Sequence, residues 1–152
     1  MSGIGDTLPP VNVQDSEGAS LSLAEIKAPF VLYFYPKADT PGCTNEAKDC
    51  TSLAADFAKL GCAVYGMSKD KPAKLTKFAA KYELAVALLS DEASDACERV
   101  GVWVEKSMYG RHYMGIERAT FLVGKDGKIA SIWRKVKVAG HASEVLAATK
   151  TL

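Results

Sequence analysis

The chain has 152 residues, 48% hydrophobic and 24% charged, enough for one substantial core and ordinary for a globular protein. Nineteen Lys and Arg balance eighteen Asp and Glu, which argues against a surface built for nucleic acid or acidic membranes. No apolar run approaches the roughly 20 residues that cross a bilayer, and Met1 to Asp6 lack the regions of a secretory signal, so the expected location is the cytoplasm.

Taken in order, residues 1–29 are mixed. Leu8-Pro9-Pro10 excludes regular helix there. Asp15-Ser16-Glu17-Gly18 is a turn signal after a short extended segment, Val11-Asn12-Val13. Ser22 followed by Glu25 fits a capping box for a short helix. Phe30 to Tyr35 is continuously apolar, as expected for a strand covered on both faces. After the loop Pro36-Lys37-Ala38-Asp39, the pattern predicts one helix from about Pro41 to Leu60. Cys43, Ala47, Cys50, Ala54 and Phe57 share its apolar face, and Gly61 ends it.

Cys62 to Met67 is a second buried strand. Ser68 to Pro72 opens another helix, with Leu75, Phe78, Ala79 and Tyr82 on its apolar side. Ala85 to Leu89 is a third strand, and a short helix is predicted from Ser90 or Asp91 to Val100. Residues 104–117, rich in Gly, Tyr and Lys, read as a loop. Asp126-Gly127 between the strand patterns 119–123 and 129–133 is a strong hairpin signal, and a helix closes the chain at about 142–149. This order implies one α/β domain over 1–152, with a mixed sheet and helices on both faces.

The four cysteines, at 43, 50, 62 and 97, are too sparse for a secreted disulfide framework and include no Cys-x-x-Cys. His112 and His141 match no metal-ligand spacing. No metal or other cofactor is expected.

Thr40-Pro41-Gly42-Cys43 carries the chemistry. Thr40 fits the N-cap of the helix and Pro41 its first position. Cys43 then lies among unpaired backbone N–H groups at the positive end of the helix dipole, a setting that favours thiolate over thiol. The Thr40 hydroxyl is close enough to bond the sulfur or an incoming oxygen, and Gly42 permits close backbone approach. A thiolate attacking an O–O bond needs little more than donors, a pocket and a nearby cation. The plainer reading, a small residue at a helix start, explains neither the cap nor the Pro–Gly context.

Pro36-x-x-x-Thr40-x-x-Cys43 matches the signature of the peroxiredoxins. Phe34 to Lys37, Thr40 to Thr44, Glu46-Ala47, Gly101-Val102-Trp103, Glu117 to Leu122 and Trp133 to Lys137 resemble the PrxQ, or bacterioferritin comigratory protein, class. The resemblance spans nearly the whole chain. It implies a thioredoxin-like fold and thiol-dependent reduction of hydrogen peroxide and organic hydroperoxides. By the same resemblance Cys43 is the peroxidatic cysteine, Thr40 bonds the peroxide, Pro36 shields the pocket and Arg118 polarises the peroxide. Glu46, otherwise a helix-N-terminal acid, falls on the arginine side of that pocket.

The resemblance has one departure. Many PrxQ proteins carry a resolving cysteine five residues after the peroxidatic one, where this chain has Lys48; another subgroup carries it in the segment that here reads 77–81, also without cysteine. Cys50 is seven residues on, a helical rise of about 10 Å, whereas a disulfide needs Cα atoms roughly 4.4–6.8 Å apart. It is either a core residue or a resolving thiol that requires the helix to unwind. Cys62 and Cys97 read as core. One-cysteine behaviour follows, with thioredoxin, glutaredoxin or glutathione as the external thiol and a monomer or weak dimer as the assembly. The alternatives are an atypical two-cysteine cycle through Cys50 and a non-catalytic redox sensor.

Overall fold

The computed structural model describes residues 2–152. Phe30–Phe34 (β3) is buried at every position, and its alternation builds two cores. Phe30, Leu32 and Phe34 enter one, Val31 and Tyr33 the other. On one face lie the helices Pro41–Ser52 (α1), Ala54–Lys59 (α2), Pro72–Tyr82 (α3) and His141–Thr149 (α5). The other face is covered by Ala96–Val100 (α4) and the N-terminal segment, through Leu8, Val11 and Leu23.

The remaining strands are Asn12–Asp15 (β1), Ser20–Ser22 (β2), Ala63–Ser68 (β4), Ala87–Ser90 (β5), Trp103–Met108 (β6), Arg111–Ile116 (β7), Ala119–Val123 (β8) and Ile129–Trp133 (β9). Seven form a mixed sheet in the order β2-β1-β5-β4-β3-β8-β9, with β3, β4 and β5 parallel and β8 antiparallel to β3. The β8–β9 turn carries Gly127 at φ 79°, the left-handed geometry that the Asp-Gly signal anticipates. The Ser22–Glu25 signal produces a single 3-10 turn, Leu23–Glu25, with the Ser22 hydroxyl accepting from the Ala24 N–H.

Three expectations are corrected. The helix predicted over 41–60 is two helices. Leu53 leaves helical geometry at φ −102°, ψ 3°, and its N–H turns tightly onto the Cys50 and Thr51 carbonyls. The second helix sends Phe57 into the core and ends on Gly61, whose N–H bonds Ala58 O while Cys62 N–H bonds Phe57 O, a Schellman closure. The helix predicted from Ser90 or Asp91 begins only at Ala96. Asp91 is fully buried and caps it from a distance, accepting the N–H groups of Ala96 at 2.9 Å and Cys97 at 2.8 Å. Lys69 pairs with the same carboxylate at 3.1 Å. Finally, residues 104–117 are no loop. They form most of the separate β6–β7 hairpin, turned at Tyr109 and Gly110, with φ 52° and 77°.

The Asp91 carboxylate therefore serves α4 and Lys69 together. Asp91→Ala strands two buried N–H groups and should cost about 3 kcal/mol. Equilibrium urea unfolding measures it, and a loss under 1 kcal/mol, on the order of an exposed cap, would contradict this role.

Candidate active site

The register of β3 against β8 sets Phe34 opposite Ala119. The chain that leaves β3 for α1 thus emerges beside Arg118, one residue before β8. The intervening loop is tied down on the far side. Ala38 N–H donates to Asp70 Oδ2 at 2.7 Å. Asp39, in the left-handed region at φ 62°, accepts from Lys81 Nζ at 2.9 Å and from the Tyr82 hydroxyl.

Thr40 is the N-cap by backbone, its carbonyl accepting from Thr44 N–H at 2.8 Å. Its side chain does not cap the helix. The hydroxyl instead donates to the Lys37 carbonyl at 2.8 Å, so its proton serves the loop's own turn and not the sulfur. Thr40 is half-buried, and Pro36, at the start of the loop, is exposed.

Cys43 stands in the first turn of α1 and is 2% exposed. Arg118 reaches it from the residue before β8: Nη2 donates to Sγ at 3.3 Å, and Nη1 donates to Glu46 Oε1 at 2.6 Å. One guanidinium thus holds the sulfur and the carboxylate of the next helical turn, using its planar fork. Gly42 makes room for it, since a Cβ there would lie 3.3 Å from Nη2. The pair of Arg118 and Glu46 was legible from the sequence only through resemblance. The sharing of one guanidinium between sulfur and carboxylate was not.

Burial dominates the titration of Glu46. It pushes Glu46 up to about 7, although the adjacent guanidinium pulls the other way. Burial also works against the charge on Arg118, but Glu46 and Cys43 outweigh it and hold the guanidinium above its ordinary value. Glu46 Oε2 and the Tyr33 and Tyr35 hydroxyls are buried without a hydrogen-bond partner among the described residues. Tyr33, Glu46, Cys50, Thr120 and His141 line a small cavity, where Thr120 Oγ1 and His141 Nε2 lie 2.7 Å apart.

All four thiols are free and buried. Burial pushes the Cys50 thiol up to about 12 and Cys62 to about 11, and raises Cys97 as well. Cys50 lies in the same unbroken helix as Cys43. Lys48, at the position of the usual resolving cysteine, sets its ammonium 5.5 Å from the Tyr82 ring centre.

Sequence reasoning missed Lys106. It is half-buried on β6, its methylenes lying against Gly115, where a Cβ would come within 3.2 Å of its Cδ. Burial lowers its ammonium, Arg118 lowers it further, and Cys43 and Glu117 oppose them. No local signal marked it, because the strand that carries it has polar side chains on both faces.

A mixed thioredoxin-like sheet with a cysteine at a helix start, held by an arginine from the antiparallel neighbour strand, defines a class of thiol enzyme. Residues 4–132 match the AhpC/TSA family, and the chain belongs to that family. Within it, the chain is a thiol-dependent peroxidase of the PrxQ or bacterioferritin comigratory protein class. It is 41% identical to peroxiredoxin Bcp of Bacillus subtilis over 150 residues, covering 98% of this chain and 96% of that one. It is 43% identical to peroxiredoxin Bcp of Escherichia coli over 143 residues, covering 93% and 92%. Among solved structures, a cysteine-to-serine variant of PrxQ from Xylella fastidiosa superposes with a TM-score of 0.91 at 36% identity, covering 99% of this chain and 97% of that one. The bacterioferritin comigratory protein of Xanthomonas campestris gives 0.85 at 42% identity, covering 92% and 90%. Such enzymes take a peroxide and a thiol reductant as their substrates.

Between pH 4.5 and about 7 the folded chain keeps a proton on Glu46 that the unfolded chain has lost. Stability therefore falls as pH rises through that window, and the loss is complete above it. Glu46→Gln removes this part of the slope. Urea unfolding at about pH 5 and about pH 8 should show a smaller loss in the variant; parallel losses would contradict the assignment.

Proposed function

We propose that Cys43 is the peroxidatic thiol of a one-cysteine cycle acting on hydrogen peroxide and organic hydroperoxides. The observation that carries this reading is the Arg118 guanidinium, bonded at once to Cys43 Sγ and to buried Glu46. The Cys43 thiolate attacks the terminal oxygen of the hydroperoxide. An S–O bond forms and the O–O bond breaks. The sulfur becomes sulfenic acid, and the departing alkoxide or hydroxide takes a proton from water. Arg118, beside the sulfur, faces the charge that develops on the leaving oxygen.

Thr40 orients the peroxide as an acceptor. Its O–H is used on the Lys37 carbonyl, so Oγ1 offers lone pairs to the O–H of the substrate. That contact aims the hydroxyl oxygen at the sulfur. Pro36 and its loop form the rim that restricts water. Reduction of alkyl peroxides by the Xanthomonas campestris relative supports an organic hydroperoxide as one substrate.

An external thiol then resolves the sulfenic acid: a thioredoxin, a glutaredoxin or glutathione. Lys48 and the cysteine-free segment 77–81 support this, as does Cys50, fixed two turns along the same helix with its thiol pushed up to about 12. A cycle through Cys50 is the second reading. Its support is that Cys43 and Cys50 belong to one buried cluster. A sulfenic acid without a fast internal partner is open to further oxidation. We place the protein in the cytoplasm as one peroxiredoxin unit over 1–152, a monomer or weak dimer. The described residues contain no helix long and apolar enough to cross a membrane.

Peroxide titration with one equivalent, followed by disulfide mapping, tests the cycle. The expected product is Cys43 sulfenic acid; a Cys43–Cys50 disulfide in high yield overturns the one-cysteine reading. With excess reductant, Cys43→Ser should abolish catalytic peroxide decay and Cys50→Ser should preserve it. Arg118→Gln should slow oxidation of Cys43 by about a hundredfold or more, as loss of one charge-stabilising donor does.

A further inference from the structure

The β6–β7 hairpin stands outside the main sheet and carries most of the exposed large hydrophobic side chains among the described residues. Of the six large hydrophobic side chains most exposed among the described residues, Met108, Tyr109, Tyr113 and Met114 belong to it, and Tyr109 at the turn is 98% exposed. The register divides the side chains between two faces. Directly paired residues share a face, so Lys106 and Tyr113 lie with Met108 and Arg111. Glu105 and His112 lie on the other face, where their side chains pair at 3.0 Å. The first face therefore has two cations and no acid, and among the described residues neither Lys106 nor Arg111 makes an ion pair. Met108, Tyr109, Arg111 and Tyr113 form an open hollow at its outer end.

The strand that carries Arg111 and Tyr113 runs on to the site, since β7 ends at Ile116, two residues before Arg118, whose guanidinium donates to the Cys43 sulfur. The charges that bear on Lys106 are those of Arg118, Cys43 and Glu117. Two residues along a strand span about 7 Å, so Met108 and Arg111 continue outward from Lys106 toward the tip. A small peroxide needs none of this length. Exposed Tyr, Met and Arg are the residue types that form the centres of protein interfaces.

We propose that this face of the hairpin docks an acidic dithiol protein, which reduces oxidised Cys43. The proposal rests on external resolution of the sulfenic acid and names the kind of partner that performs it. Lys106 and Arg111 meet carboxylates around the partner's reactive cysteine, and Tyr109 and Met108 fill an apolar depression beside it. The first partner thiol attacks the Cys43 sulfenic sulfur; an S–S bond forms and water leaves. The partner's second thiolate then attacks its own sulfur in that mixed disulfide. Cys43 departs as thiolate, reduced, and the partner leaves as an intramolecular disulfide, oxidised by two electrons. A second copy of this chain fits the face poorly. Two-fold pairing would set the Lys106 and Arg111 cations of one copy against those of the other.

The test separates the half-reactions. Protein oxidised by one equivalent of peroxide is reduced either by a thioredoxin with an acidic surface or by dithiothreitol, and the rates are followed by stopped flow. Arg111→Glu and Tyr109→Asn, the latter keeping a residue that tolerates positive φ, should each lower kcat/KM for the thioredoxin about tenfold. Oxidation by peroxide and reduction by dithiothreitol should stay unchanged, as should every rate of the opposite-face variant His112→Gln. Unchanged thioredoxin kinetics would overturn the proposal. So would an equal loss with dithiothreitol, a loss confined to glutathione, or a concentration-dependent dimer that Arg111→Glu dissolves. Disulfide mapping before reductant is added reports separately on the one-cysteine reading, because a Cys43–Cys50 disulfide would refute that reading whatever the docking variants do.

Discussion

One guanidinium holds the site together. Arg118 gives one nitrogen to the Cys43 sulfur and another to Glu46, and three features of the chain exist in a form that allows it. The antiparallel register of β3 and β8 sets Phe34 opposite Ala119, which brings the residue before β8 to the mouth of α1. Gly42 leaves the space a side chain would take from Nη2. The helical turn after Cys43 places Glu46 on the same side of α1. Shifting the register by one residue would send Arg118 to the other face of the sheet.

Burial makes this arrangement demanding. Glu46 and Cys43 are each 2% exposed, and charges removed from water interact more strongly but cost much to desolvate. The guanidinium fork meets the sulfur and the carboxyl with separate nitrogens, so neither has to yield its donor to the other. The dipole of α1 adds positive potential at the same end. The unpartnered Oε2 of Glu46 marks the limit of the compensation. It explains why burial raises this carboxyl to about 7 even with a cation at 2.6 Å.

The parts legible in the sequence were those with local causes. A continuously apolar run specified β3, Asp-Gly specified the β8–β9 turn, Pro41 and Gly61 bounded the helical region. The misses had causes at a distance. Nothing in Ser52-Leu53-Ala54 breaks a helix by propensity; the change of direction accompanies the burial of Phe57. Asp91 looked like the start of α4 and instead caps it from five residues away while paired to Lys69. The β6–β7 hairpin has polar side chains on both faces and a Tyr-Gly turn, so neither alternation nor turn chemistry announced it. At the site, the elements around Cys43 were readable from chemistry. Arg118 needed a family resemblance, because only tertiary structure takes an arginine out of solvent.

The two halves of the cycle ask opposite things of Cys43. Attack on a peroxide gains from a sulfur that is nearly closed to water, and 2% exposure provides it. Reduction by a thiol requires that sulfur to come out. The first turn of α1 is held by the Thr40–Thr44 backbone bond, and the loop before it by Asp39, Lys81 and Asp70. An oxygen added to Sγ must fit where Arg118 already stands 3.3 Å away, so oxidation itself works against the closed turn. Cys50 does not move with that turn. It lies two turns deeper, on the part of α1 anchored in the core with Phe57 and Val145. Unwinding of the first turn alone would free the Cys43 sulfur while Cys50 stays in the core, whereas bonding Cys43 to Cys50 needs the unwinding to continue along α1.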